Sequence, residues 1–547
     1  MKRLINSLIV MGGTAVSLLL LLILSQQHSQ AAPLATTYYV CDCQPGADGN
    51  CTAGSDANSG TSPAAPWQTY EKARTQFSLM AGGDEIRFCQ GGAFDLASGS
   101  ARWVNSNCSL TFQCTVGDYA PPWASGDEAR PILSRPVDDH AFDLANGGSA
   151  IAQGGYIFKN LDLRCPGCTA SGWGFFFYND LNDVLLDNIR LDGFAIGVHL
   201  AGSNACSAGD VACNGQNDRV TLQNLTILNS DHQGILGGAN DLLIENSYFE
   251  NNGDGSIFDH NIYVSHGDRI TIRNNELYRS SLDGSGSCGG TSLVGHGVMS
   301  DLLIEGNYVH EDVGKANQGC WGISITPAYS TAESFSNVTI RGNRIENVGN
   351  TAVGTASCQN CTIENNVIIQ NQGFGITGVS VPAQLPGTGD AISQNIVIRN
   401  NSIWTNTGTG IQLNEGSSHA IVSNAFQATS ATSGWNCLDA TMPTVNYNVI
   451  NHNVCGYSVG EWANGVGDLA AWQVIGWGIN SIADVPGFVS GGDLRPGSET
   501  AAVVNAGSPG LSSLTDFNGN GRFPPPDAGA YEWLGPLQTQ FLPLIHK

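Results

Sequence analysis

The chain has 547 residues, a net charge of −25 and only 22 lysines plus arginines. That balance excludes the broad basic surface of a nucleic-acid-binding protein. An acidic polysaccharide stays open as a ligand only through a local basic groove or a bound cation, because the bulk field repels it.

Lys2 and Arg3 precede an apolar run from Val16 to Leu24, polar Ser25 to Gln30, and small Ala31 and Ala32. This is the order of a secretory signal peptide, so residues 1–31 are set aside from fold reasoning. The mature protein is expected outside the cell or at its surface, without a membrane span. All 16 cysteines follow that segment, which in an exported chain favours disulfides. Local pairs are Cys108 with Cys114, Cys165 with Cys168, Cys206 with Cys213, Cys358 with Cys361, and Cys437 with Cys455. A zinc site drawing on the CPGC and CQNC runs is the weaker alternative. Thr69 to Met80 (TYEKARTQFSLM) is the best helical pattern in the chain and precedes the strand EIRF at Glu85, as an end-cap helix would.

A six-residue phrase then recurs: VLLDNI from Val184, VTLQNL from Val220, LLIENS from Leu242, ITIRNN from Ile270, LLIEGN from Leu302, VTIRGN from Val338, CTIENN from Cys361 and IVIRNN from Ile396. Starts lie 22 to 36 residues apart, as in coils of constant strand content joined by variable loops. Within each phrase, apolar and polar positions alternate, the signature of a strand with one buried face. Asn or Gly ends it, since both tolerate the bent backbone of a corner. A second short strand follows (Tyr248-Phe249, Leu277-Tyr278, Tyr308-Val309, Ile403-Trp404), then a third often led by Gly (Gly234, Gly322, Gly375, Gly410). Three strands per turn predict an all-β, right-handed parallel β-helix with an N-terminal helical cap. The outward residues Glu245, Arg273, Glu305, Arg341, Glu364 and Arg399 alternate in sign, as a charge ladder between coils about 4.8 Å apart requires. This ladder reads as structural.

The start YYVCDC, with GSDANSGTSPAAPWQTYEKA and GGDEIRFCQGGAF, resembles the opening of secreted right-handed β-helix proteins of the pectin-lyase-like superfamily. DFNGNGRFPPPDAGAYEW from Asp516 resembles the closing segment of bacterial β-helix proteins with a C-terminal anchoring or sorting tail. The expected organisation is a cap and first coils over 36–135, the β-helix over 136–455, and C-terminal coils and cap over 456–535. Residues 536–547 form a tail that would attach the protein, a monomer, to the cell surface.

Asp516, Asn518, Asn520, Gly521 and Asp527 fall on positions 1, 3, 5, 6 and 12 of an EF-hand-like calcium loop. Three prolines from Pro524 and an Asp at the last position speak for a closing turn instead.

Six of the 11 histidines, His199, His232, His260, His266, His296 and His310, lie in five consecutive coils. Third-strand alignment places Gln233, His260, Thr291 and Trp321 in successive coils and points Tyr263 and Ser324 outward on the same face. The resemblance implies a lateral groove there, walled by the loops 251–260, 280–290 and 310–319, with Cys288 and Cys320 bridging two of them. A lyase acting next to a uronate carboxylate would use His260 or Lys315 as base and Tyr263 as proton donor. His232, Gln233, Asp259, His266 and Trp321 would bind the polysaccharide, and Asp254 with Asp259 would hold calcium. The triplet Gly295-His296-Gly297 resembles one motif of the polygalacturonase family, which makes a glycoside hydrolase the alternative. The Asp pair and the Asn-Thr-Asp and Arg-Ile-Lys motifs of that family are missing. A non-catalytic carbohydrate-binding or adhesive protein is the third reading.

Overall fold

A computed structural model of the chain describes residues 35–535, apart from 97–101, 146–152, 179, 203–214, 384–386, 430–433, 438–443, 451–454, 458–464, 468, 475 and 477. The expected signal segment, the tail 536–547, Cys206 with Cys213, and the side chains of Cys437 and Cys455 lie outside the described residues.

The chain winds through three parallel sheets in rotation. One coil runs Leu243–Glu245 in the first sheet, Tyr248–Glu250 in the second and Ile262–Val264 in the third, and the next begins at Gly267–Arg273. Glu245 pairs in register with Arg273, Arg273 with Glu305, Glu305 with Arg341, Arg341 with Glu364 and Glu364 with Arg399. The expected column is therefore present, with Arg273–Glu245 at 2.7 Å and Arg399–Glu364 at 2.7 Å. Inward residues such as Ile244, Phe249, Ile262 and Ile272 are fully buried and form one continuous core along the solenoid. No single coil could bury them alone.

The phrase-ending residues divide the work of the corner between the first and second sheets. Asn246, Asn274, Gly306, Gly342, Asn365 and Asn400 take positive φ near 50–65° and turn the chain. The residue after each stacks instead into a buried ladder, from Ser247 through Asn275, Asn307, Asn343, Asn366, Asn401 and Asn424 to Asn448. The Oδ1 of Asn307 accepts the Asn275 backbone N–H at 3.0 Å, and its Nδ2 donates to Ile272 O at 2.9 Å. Corner amides that no strand partner reaches are satisfied in this way.

Helix α1 (Tyr70–Phe77) starts at Thr69, whose side chain caps Lys72 N–H. It turns Tyr70, Ala73 and Phe77 onto the first coils, where the Tyr70 hydroxyl donates to Ala141 O at 2.7 Å. At the other end Leu469, in helix α2 (Leu469–Val474), enters the core.

From Phe488 to Trp533 the chain runs back along the outside of the second sheet as a strap. There Gly492 O accepts from Arg344, Thr515 O from Asn365, and Asp527 O and Gly529 O from Asn400. The outward residues beneath it change accordingly. Earlier coils present Tyr248, Glu250, Arg344 and Glu346, whereas the covered ones present Val367, Ile369, Ala425 and Val449, buried against Leu494, Tyr531, Val503 and Ala528. Among the described residues no helix is long and apolar enough to cross a membrane.

Cys288–Cys320 bridges its two loops as expected, and further disulfides join Cys108–Cys114, Cys165–Cys168, Cys358–Cys361, Cys41–Cys89 and Cys43–Cys51. The CPGC and CQNC runs are thus closed internally and cannot supply zinc ligands.

Candidate functional site

The outer face of the third sheet carries Phe176, His199, Leu236, Tyr263, Val294 and Ser324 in one column. Beside it, the residues entering each strand stack as Gln233, His260, Thr291 and Trp321, linked through Gly234 N–H to His260 O and Ser292 N–H to Trp321 O.

His260 and His296 are oriented in the same way. The Nδ1 of His260 lies 2.8 Å from Thr291 O, and the Nδ1 of His296 meets Thr326 O. A carbonyl only accepts, so each Nδ1 carries the hydrogen and each Nε2 keeps its lone pair. Burial favours the neutral form, pulling His260 down to about 4 and lowering His296. The Tyr263 ring lies between them, its centroid 5.5 Å from each imidazole. Its hydroxyl meets that of Tyr329, and burial with the Tyr329 contact holds Tyr263 firmly as a neutral phenol.

Tyr329 and its support are not legible in the repeat. The loop carrying it is drawn in by Glu333, whose buried carboxylate accepts the backbone N–H groups of Gly297, Ala328 and Tyr329. The glycines beside His296 therefore have packing roles. A Cβ on Gly295 would sit 2.8 Å from Ile325, and Gly297, at φ +95°, turns toward Glu333 and would meet Ser265 O at 2.3 Å.

An acidic group lies beside this cluster. Asp259 is buried, and its Oδ1 lies 3.3 Å from Gln233 Nε2 and 3.5 Å from His232 Nδ1. Its Oδ2 accepts the Asp254 N–H at 3.3 Å. Burial, aided by neighbouring Asp254, raises the Asp259 carboxyl above the usual range, although backbone hydrogen bonding and His232 oppose this. The terminal loop is closed by its own hydrogen bonds. Asp516 Oδ1 accepts the N–H groups of Asn518 and Asn520, and the Asp527 carboxylate accepts those of Asn505 and Trp533. The charge among these acids comes from Arg522, buried and 3.1 Å from Glu532.

Other expected site residues stand apart. Lys315 is exposed on the 310–319 loop, its Nζ donating to Ser285 O at 3.1 Å. His266, beyond the strand, bonds Ser265 Oγ through Nδ1 at 2.8 Å, with its Nε2 buried beside Gly202. Trp321 is half-buried two coils beyond His260 and packs near Gly354. His310 faces out of the second sheet, stacked 4.0 Å from Tyr308 and 4.4 Å from Tyr278. The Cys288–Cys320 bridge pins the two wall loops. Beside it lies buried Glu311, whose Oε1 accepts Ser280 N–H at 3.0 Å and whose Oε2 has no partner among the described residues.

No curated protein matches the chain. Solved structures with related coordinates include the lacto-N-biosidase GH136 of Eubacterium ramulus, at 11% identity and a TM-score of 0.39, with 68% of this chain and 64% of that one covered. The A-module of the Azotobacter vinelandii mannuronan C-5 epimerase AlgE6 is 15% identical, with a TM-score of 0.45 and coverage of 71% and 96%. PfbA, a surface adhesin of Streptococcus pneumoniae, is 12% identical, with a TM-score of 0.40 and coverage of 68% and 86%. Residues 173–381, which hold the whole imidazole and phenol cluster, match the family described as a right-handed β-helix region.

Proposed function

We propose that the protein is an extracellular polysaccharide-acting enzyme, a lyase working on a uronate-containing glycan bound along the third sheet. The observation that supports this is the pair of neutral imidazoles, His260 and His296, flanking Tyr263 with both Nε2 lone pairs kept. In the elimination, His260 Nε2 takes the proton next to the uronate carboxylate. Tyr263 gives its proton to the glycosidic oxygen as the bond to it breaks, leaving an unsaturated uronate.

A glycoside hydrolase is the second reading, favoured by Asp259 held toward its acid form beside Asp254 and Asp231. Incubation of the mature protein with uronate and neutral polysaccharides, with and without calcium, separates the readings. Absorbance of unsaturated uronate is expected. New reducing ends without it would mark a hydrolase, and retention on a glycan column with neither would mark a binder such as a surface adhesin.

A further inference from the structure

Phe258 is 74% exposed and its neighbour Ile257 62%, next to Asp259 of the acidic group. Their loop is nevertheless tightly built. Gln233 Nε2 donates to Phe258 O at 2.9 Å, Ser281 Oγ to Ser256 O at 2.7 Å, and Phe258 N–H to Ser256 Oγ at 3.1 Å. Gly290 packs so closely below that a Cβ there would meet Asp259 O at 2.3 Å. A large ring held in water by a hydrogen-bonded loop adds nothing to the core and is left free to contact a ligand. Around it stand Asp231, Asp254 and Asp259, with His232 as their nearest basic group. No lysine or arginine pairs with any of the three among the described residues.

We infer that Phe258 stacks on the apolar face of an uncharged sugar unit in the subsite before His260, so that the glycan carries a neutral residue there. An aromatic face accepts the C–H face of a sugar ring, whereas the carboxylates of Asp231 and Asp254 repel a uronate. The inference rests on the cleft being a glycan site, and it sharpens the substrate to a polymer mixing neutral and uronate units.

The test is affinity electrophoresis of the full mature protein in polygalacturonate, polymannuronate, a neutral mannan and a polymer alternating uronate with neutral sugars. Phe258→Ala is expected to weaken binding to the two neutral-bearing polymers by at least about fivefold, with Phe258→Trp restoring it and the homouronans unaffected. Asp231→Asn with Asp254→Asn should improve homouronan binding. Melting of Phe258→Ala should match the parent, since the ring is exposed. Equal binding by Phe258→Ala and the parent overturns the inference alone, provided that Tyr263→Phe or His260→Ala still alters binding or turnover. Equal weakening on homouronans overturns the neutral assignment. Failure of the parent to bind any of the four polymers overturns both this inference and the glycan reading.

Discussion

The hydroxyl of Tyr263 meets the hydroxyl of Tyr329, 66 residues further along the chain. The contact joins a strand of the repeat to a loop outside it. Because Glu333 holds the Tyr329 backbone, the pair is positioned before any ligand arrives. Tyr329→Phe should therefore disturb a proton given up by Tyr263 more than it disturbs binding. On whichever polymer the parent turns over, kcat is expected to fall about tenfold with KM little changed, whereas Tyr263→Phe and His260→Ala lose about 10²–10⁴-fold. Steady-state kinetics with circular dichroism of each variant checks this. Unaltered rates in His260→Ala would remove the site.

The buried imidazole of His260 titrates at about 4, against about 6.5 in an unfolded chain. Acidification through that window protonates the unfolded state first, so stability present above about pH 6.5 is lost as pH falls toward 4. His260→Gln should flatten this loss by on the order of 2 kcal/mol, read from melts between pH 7 and 4.

Glu311 works in the opposite direction. Burial pushes its carboxyl up to about 8, partly opposed by the Ser280 N–H and Arg279 and reinforced by Asp312. Its contribution is most favourable below about pH 4.3 and is lost as pH rises through 8. Glu311→Gln keeps the oxygen that Ser280 needs, and should raise stability at pH 9 by on the order of 2 kcal/mol while changing little at pH 4. Melts in which the variant gains nothing at pH 9 would contradict this.

Asn343 accepts the Asn307 backbone N–H at 2.9 Å and reaches Ile304 O at 3.0 Å in the middle of the corner ladder. Asn343→Leu leaves both groups buried without a partner, so a loss of about 2–4 kcal/mol is expected in chemical denaturation. A variant as stable as the parent would show that the ladder contributes nothing.

Arg522→Met strands Glu532 and Asp527 without their cation and should cost about 3–5 kcal/mol. In the parent protein, calorimetric titration with calcium is expected to give no heat that Asp516→Ala removes. A calcium-dependent rise in melting temperature lost in Asp516→Ala would show that the loop takes the ion despite Arg522.

The solenoid was legible because its determinants are periodic. Alternation set the inward and outward faces, the sign changes from Glu245 to Arg399 fixed the register, and Cys288 and Cys320 met across one coil as their spacing suggested. His260, Tyr263 and His296 came together for the same reason. His310 did not join them, although its place two residues after Tyr308 in a second strand already turned it outward on another sheet. Tyr329 and Glu333 sit in a non-repeating loop where no period operates. The guanidinium at Arg522 depended on burial, which ligand spacing does not encode.

The strap also gives the molecule a direction of assembly. Coils up to Ile323–Ile325 have polar exteriors over the second sheet and need only the preceding turn as a template. Those presenting Val367, Ile369 and Ala425 stay incompletely covered until residues 488–533 return over them. A chain shortened before Phe488 would leave a greasy stripe down one flank, so the last turns of the helix become native only after residues 488–533 have been made.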